Sequence, residues 1–254
     1  MVFKLKWRGR VYRYLENMVK NNTKIHFTLI DPEKVRASDE IKRTLKLVVD
    51  AGTDAILIGG SLQVFSDDVT AIAKIVEEFD KPSILFPGSI AGLSPYADAL
   101  LFISLLNSDN TYYVIGAQIS AAPLIKRFGL EVLPTGYIVI GSFNTSVSFM
   151  GRARPIPLDK PSIAAAYALA AKYMGMKFVY LEAGSGAKQP VPSKTVNIVK
   201  KVVEDVMVIV GGGIRDKEAA KDLAEAGADI IVTGTVVEKD VRKAVEIISI
   251  LKHR

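Results

Sequence analysis

The sequence predicts an α/β fold, a modified (β/α)8 TIM barrel with its third helix missing or reduced. Three observations lead there. Eight short, continuously apolar segments alternate with segments of helical spacing, the pattern of a parallel sheet covered on both faces. Most of the apolar segments run straight into a glycine, a carboxylate or a hydroxyl residue. The chain has 254 residues, the size of one such barrel.

Taken in order, residues 9–22 carry Val11, Tyr12, Leu15, Met18 and Val19 at helical spacing. Residues 1–22 are therefore expected to form an N-terminal helix over the barrel, ended by Asn21-Asn22. A first strand, 25–30, closes at Asp31-Pro32, where proline disfavours helix at the residue before it. Ser38 is the expected N-cap of a helix to residue 50, with Leu45, Val48 and Val49 on one face. Strand two, 55–58, runs into Gly59-Gly60-Ser61 and a helix at 67–79. Strand three, 83–86, ends in Pro87-Gly88-Ser89. Strand four, 99–103, follows after only residues 88–98, which contain Gly92 and Pro95 and are too short and broken for a crossover helix. A helix at 112–128 leads to strand five within 130–140. Residues 141–161, with Gly151, Pro155, Pro157 and Pro161, form a long loop of the kind that is functional or mobile. A helix at 162–173, strand six at 177–181, a helix at 193–203 and strand seven at 206–210 follow. Asp216 caps a helix to residue 226, strand eight spans 229–232, and 237–251 is the last helix. No boundary divides the chain, so 1–254 reads as a single domain.

Composition narrows the function classes. The chain is 49% hydrophobic and 24% charged, which reads as globular. It has no cysteine, which excludes disulfides and thiolate metal sites and fits a cytoplasmic protein. Residues 1–13 are basic and lack the apolar core of a signal peptide. The longest apolar run, 99–106, is far too short to span a bilayer. A net charge of +6 suits anionic small molecules, nucleic acid or anionic lipid alike. No RNA-binding motif or dense basic patch is present, so nucleic acid is not an expected partner.

In this fold, catalytic residues sit at the carboxyl ends of the strands. Those ends supply Asp31, Ser61, Gly88-Ser89, Asn107, Glu182 with a Gly184–Gly186 loop, Gly211-Gly212-Gly213 and Thr233-Gly234-Thr235. The last two loops occupy the usual phosphate site of the fold, and their glycines either expose backbone N–H donors to an anion or merely allow tight turns. They lack the Walker lysine and do not match the dinucleotide fingerprint. Asp31 either caps the turn before Pro32 or ligates a hard cation, with Ser61 as a neighbouring hydroxyl. Glu182 follows Tyr180 by two, so both point to one side of strand six, with Tyr180 below. His26 has the opposite phase to Asp31 and reads as a packed residue facing the helices. His253 lies in the tail. No histidine is then a good general base, which shifts that role toward Glu182, whose other reading is a structural ion pair with a neighbouring lysine or arginine.

Together these segments resemble the geranylgeranylglyceryl phosphate synthase family. The resemblance rests on HFTLIDPEK (26–34), GTDAILIGGS (52–61), PSILFPGS (82–89), PTGYIVI (134–140), YLEAGSGA (180–187), VGGGIR (210–215) and ADIIVTGT (228–235). Each motif is weak alone; in this order they are specific. The family has a barrel in which the third helix is replaced by irregular structure. Membership implies transfer of a prenyl group from geranylgeranyl diphosphate to the primary hydroxyl of sn-glycerol 1-phosphate, the first ether bond of archaeal membrane lipids. By motif position, Asp31 and Ser61 would hold Mg2+. Tyr180, Leu181, Glu182, Ala183, Gly184, Ser185, Gly186, Gly211, Gly212, Thr233 and Gly234 would contact the glycerol phosphate, with Tyr137 a further substrate contact. Glu182 would be the base. The resemblance also implies a homo-oligomer, dimer or hexamer, and peripheral membrane contact through a lipid product. Bacterial relatives use a longer, heptaprenyl donor. Two other readings share parts of the pattern: a phosphate-binding barrel isomerase or synthase of amino-acid biosynthesis, and a non-enzymatic phosphate-ligand sensor or scaffold.

Overall fold

The computed structural model describes residues 6–33, 39–60 and 64–252; the cap expected at Ser38 and the tail residue His253 lie outside them. Eight parallel strands close into a barrel in chain order. They are β1 (Ile25–Ile30), β2 (Ala55–Ile58), β3 (Ser83–Leu85), β4 (Ala99–Leu105), β5 (Glu131–Val139), β6 (Phe178–Glu182), β7 (Met207–Gly211) and β8 (Ile230–Thr233). β8 returns to β1, with Phe27 beside Val232.

The period-two alternation of a strand sorts side chains into two layers. Phe27, Leu57, Ile84, Leu101, Phe178 and Ile209 fill the barrel. Ile30, Ile56, Leu100, Val179, Val210 and Ile231 turn outward against the helices. Those helices are α1 (Val11–Lys20), α2 (Asp39–Asp50), α3 (Ser66–Glu77), α4 (Ala117–Phe128), α5 (Ser146–Met150), α6 (Pro161–Tyr173), α7 (Ser193–Val203), α8 (Lys217–Glu225), α9 (Thr235–Lys239) and α10 (Val241–Lys252). The crossover helix is indeed missing after β3. A single 3₁₀ turn, Ile90–Gly92, stands in its place.

The structure departs from the sequence expectations in five places. The N-terminal helix expected over 1–22 is shorter: residues 6–10 are bends and turns, and the helix runs only over Val11–Lys20. β4 continues past residue 103 to Leu105, because it pairs with the long β5 as far as Tyr137. The helix expected from residue 112 begins with a π turn, Tyr112–Gly116. Side chains take up carbonyls there: Ser104 donates to the Val114 carbonyl at 2.7 Å and Gln118 to that of Tyr113 at 3.3 Å. The last helix breaks at Asp240, whose carboxylate instead caps α10 by accepting from Arg242 N (3.1 Å) and Lys243 N (3.3 Å). Finally, the long loop after β5 contains α5, capped by Thr145.

The amino ends of the strands are held by carboxylates. Asp54, Asp98 and Asp229 each directly precede a strand. Each accepts a backbone N–H from the start of the neighbouring one: His26, Ser83 and Val208 at 2.8, 2.9 and 2.8 Å. Lys252 pairs with Asp54, and Lys200 with Asp229 at 2.7 Å. Burial pushes the Asp54 and Asp98 carboxyls up, and these donors pull them back. α1 covers this end. It packs Val11 and Leu15 into the barrel layer, and Tyr12 meets Phe178 edge-on at 6.0 Å. Glu131, the first residue of β5, accepts from Val11 N and Tyr12 N, both at 2.8 Å, and so caps the helix that carries them.

Removing that cap tests the arrangement. Glu131→Ala leaves two N–H groups without a partner and should lower the unfolding free energy by about 1–3 kcal/mol in urea titrations, with Glu131→Gln intermediate.

Candidate active site

Glu182 is the last residue of β6 and points into the carboxyl-end mouth of the barrel, only 6% exposed. Two hydrogen bonds and one further hydroxyl close by meet its carboxylate. Tyr137, from β5, donates its hydroxyl to Oε2 at 3.0 Å, and Gly184 N donates to Oε1 at 2.5 Å. Tyr180, one inward position below on the same strand, supplies the further hydroxyl. Burial pushes the Glu182 carboxyl up, and these three groups offset part of that rise. Burial, and then the charge of Glu182, holds both tyrosine hydroxyls well above their ordinary range. Phe86 floors the cluster, stacked on Tyr180 at 5.4 Å and tilted against Tyr137 at 5.8 Å. A carboxylate has about four acceptor positions, so one more proton donor can still be accepted here.

The glycines around Glu182 follow from this packing. A Cβ on Gly211 would stand 2.2 Å from the Tyr180 hydroxyl. At Gly212, which has φ +83, it would stand 2.3 Å from Glu182 Oε1 and 2.5 Å from Gly184 N. No side chain fits at either position. Gly212, Gly213, Gly234 and Thr235 line a cavity of about 550 Å³ together with Ser185 and Glu182. Ser185 Oγ and Thr235 Oγ1 are hydrogen-bonded to each other at 3.2 Å on its wall. Arg215 ties the loop after β6 to the loop after β7 through the Ala187 carbonyl at 2.8 Å.

The cavity has a second, apolar part. It passes Phe86 and Tyr137, then runs out over β4 along Leu100, Phe102 and Ile103. Ile90 and Leu93 from the 3₁₀ segment close one side, and Ala117, Ala121 and Ile125 from α4 close the other. This groove occupies the place where the crossover helix is missing.

The structure sorts the sequence-predicted residues. Tyr137, Tyr180, Glu182, Ser185, Gly212, Thr233, Gly234 and Asp31 all line the one cavity. Leu181 and Ala183 belong to the outer layer, since the strand phase turns them toward the helices. Gly184, which the resemblance makes a glycerol-phosphate contact, has its N–H bonded to Glu182. Thr145 packs directly over Gly184, where a Cβ would stand 2.3 Å from its methyl. Gly186 is exposed beside Ser185. The Thr233 hydroxyl turns away from the cavity to His26 Nε2 at 2.9 Å. Asn107 is a splint, bonding Val139 N at 3.0 Å and the Val139 and Arg154 carbonyls at 2.9 and 2.8 Å. Phe86 and Thr145 were missed as site residues. Phase alone could have found Phe86, two residues beyond inward-facing Ile84; nothing local marks Thr145.

Asp31 lies on the cavity wall, nearly buried, and accepts from Glu33 N at 3.2 Å. It presses on the β2 end so closely that a Cβ on Gly60 would stand 2.3 Å from its Oδ1. Its expected companion Ser61 lies outside the described residues. Among the described residues no three His, Cys, Asp or Glu side chains gather into a metal cage. One hard oxygen donor facing a cavity still fits Mg2+, which keeps water and substrate phosphate as its other ligands.

A family model described as the PcrB family matches residues 17–252. The chain belongs to the PcrB family. Like this PcrB chain, the geranylgeranylglyceryl phosphate synthase of Saccharolobus solfataricus spans nearly the same length; the two are 50% identical over 99% of this chain and 98% of the relative. Among solved structures, (S)-3-O-geranylgeranylglyceryl phosphate synthase from Thermoplasma acidophilum in complex with substrate sn-glycerol-1-phosphate is 41% identical. It superposes with a TM-score of 0.88 over 94% of this chain and 98% of that one. The tryptophan synthase alpha subunit of Legionella pneumophila, at 14% identity and a TM-score of 0.60 over 96% of this chain and 97% of that one, shares the barrel fold alone.

Two measurements test this geometry. Gly212→Ala should keep the fold and displace Glu182, abolishing ligand-induced thermal stabilisation by phosphorylated ligands of the cavity. The second concerns His26, fully buried, whose imidazole burial and Lys252 lower from the usual 6.5 to about 3. A depressed histidine withholds a proton that the unfolded chain takes up, so its contribution is complete above pH 6.5 and is lost as pH falls toward 3. The stability difference between wild type and His26→Gln should therefore shrink by about 1.4 kcal/mol for each pH unit below about 6. Paired urea titrations at several pH values measure it.

Proposed function

We propose that the protein transfers a geranylgeranyl group from geranylgeranyl diphosphate to the primary hydroxyl of sn-glycerol 1-phosphate. The products are 3-O-geranylgeranyl-sn-glycerol 1-phosphate and diphosphate, and the step opens membrane-lipid synthesis. One observation carries the reading: a single cavity joins a buried carboxylate and a glycine-lined polar end to a long apolar groove. An acceptor with a phosphate and a donor with an isoprenoid tail need those two ends side by side. The names of relatives half identical to this chain support it.

In this scheme the Gly212-Gly213 and Gly234-Thr235 loops and Ser185 hold the acceptor's phosphate. Its hydroxyl is then placed by geometry, and the entropic cost of orientation is met on binding. Glu182 accepts the hydroxyl proton as the oxygen attacks the allylic carbon, and its raised pKa suits it to that task. Tyr137 and Tyr180 keep the carboxylate aimed. The aromatic floor and apolar groove exclude water from the allylic centre and take up the tail. Asp31, with Ser61, would hold Mg2+, which when bound neutralises the diphosphate so that it can leave.

We place the protein in the cytoplasm, acting as a homo-oligomer, dimer or hexamer. Among the described residues no helix is long and apolar enough to cross a membrane. Exposed Ile119 and Phe149 support apolar association between copies. Phe149 adjoins cavity-lining Met150, which supports peripheral contact with a membrane as the lipid product leaves.

Purified protein with radiolabelled sn-glycerol 1-phosphate, Mg2+ and prenyl diphosphates of several lengths should give an organic-soluble product, fastest with the geranylgeranyl donor. Preference for the heptaprenyl donor would correct the chain length. No product with any donor would overturn the assignment. Glu182→Gln should lower turnover by about 10²–10⁴-fold while sn-glycerol 1-phosphate still binds. Omitting Mg2+, or Asp31→Ala, should slow the reaction comparably.

A further inference from the structure

We infer that His26 is a positioning residue, which sets the acceptor's phosphate loop from behind the barrel wall through the side chain of Thr233. This rests on reading the loop after β8 as part of the glycerol-phosphate site.

Thr233 is the last residue of β8, and its backbone leads directly into Gly234 and Thr235 on the cavity wall. Its side chain takes the outward phase and is buried. Among the described residues its hydroxyl has one partner, His26 Nε2 at 2.9 Å. His26 lies on the adjacent strand β1, in register with Ile231. Its Nδ1 meets Thr53 Oγ1 at 2.9 Å, and Thr28 donates to the same Thr53 oxygen at 3.0 Å.

The protons in this chain have one consistent placement. The Thr233 hydroxyl donates to Nε2, because no other acceptor meets it among the described residues. The ring then carries its proton on Nδ1 and donates to Thr53. Thr53 in turn donates to the His26 carbonyl at 3.2 Å. Every hydroxyl is used, and the imidazole is held at both nitrogens.

The ring is met on both sides by buried threonines, Thr53 and Thr233. An aliphatic side chain at position 26 would leave the buried Thr233 hydroxyl without its partner. What the imidazole adds is direction. It fixes the rotamer of Thr233 at the point where β8 ends. On the barrel side of the same turn, Leu29 lies against Gly234, where a Cβ would stand 3.2 Å from its Cδ2. The turn is thus gripped from both sides, by Leu29 within and by His26 without. Gly234 holds φ −128 and ψ −72 between them. Phosphate contact by backbone N–H depends on that orientation, so an error of a few tenths of an ångström would appear as weaker acceptor binding.

Two substitutions separate positioning from packing. A glutamine places an amide near the Nε2 position and can still meet Thr233; an asparagine places it near Nδ1 and meets only Thr53. His26→Asn should raise KM for sn-glycerol 1-phosphate about ten-fold, and weaken its calorimetric binding equally. KM for the prenyl diphosphate and kcat should stay near wild type. His26→Gln should bind the acceptor close to wild type, although both variants lose thermal stability. Equal KM changes in the two variants, a parallel rise in donor KM, or an unchanged KM in His26→Asn would overturn the inference. If the histidine variants fail to fold, Thr233→Val against Thr233→Ser reads the same contrast, with serine restoring acceptor affinity. Wild-type protein that binds no sn-glycerol 1-phosphate would refute the reading of the loop itself, a result distinct from any of these.

Discussion

A carboxylate held out of water at the end of a strand organises this molecule. Glu182 is buried, and a buried carboxylate is tolerated only with hydrogen-bond donors around it. Tyr137, Tyr180 and Gly184 N supply them, and each imposes a further condition. Tyr180 must stand one inward position below, and its hydroxyl leaves no room for a side chain at residue 211. The Gly184 N–H must fold back, and that leaves none at 212. Gly212, on the cavity wall, is thus imposed by the packing around Glu182. Packing of the carboxylate therefore also sets the backbone of this part of the cavity wall.

The second organising fact is an absence. A full crossover helix after β3 would cover Leu100 and Phe102. With only a 3₁₀ turn there, those side chains line a groove that continues from the aromatic floor beneath Glu182. An apolar groove open to water is costly for a globular protein unless a ligand uses it. The polar mouth and the apolar groove share Phe86 and Tyr137, so the two ends of an amphipathic reaction meet on one surface.

The opposite end of the barrel has a different character. There Asp54, Asp98, Asp229 and Glu131 hold strand and helix starts in place. These contacts belong to stability, in keeping with the division of labour between the two faces of this fold. His26 joins the two ends. Its backbone N–H binds Asp54 at the stable end, and its ring holds Thr233 at the mouth. A residue anchored at the stable end thereby reaches the start of the loop after β8.

Much of this was legible beforehand. Apolar runs of strand length, punctuated by glycine and proline, specified eight strands and the lost helix, because covered parallel strands and short segments leave local marks. Phase along β1 separated Asp31 from His26, and spacing along β6 placed Tyr180 beneath Glu182. Phase also turns Leu181 and Ala183 outward, against the motif-based expectation. The use of the Gly184 N–H by Glu182, the Thr145 side chain over Gly184, and the link from Thr233 to His26 were hidden. Each joins residues far apart in the chain, or depends on which partner a backbone group finds. By itself the sequence determined the order of elements and which residues stand at the strand ends, since periodicity and turn chemistry are local. Only the tertiary structure decided which of them share a cavity and which donors are already taken, because closing the barrel brings those groups within bonding distance.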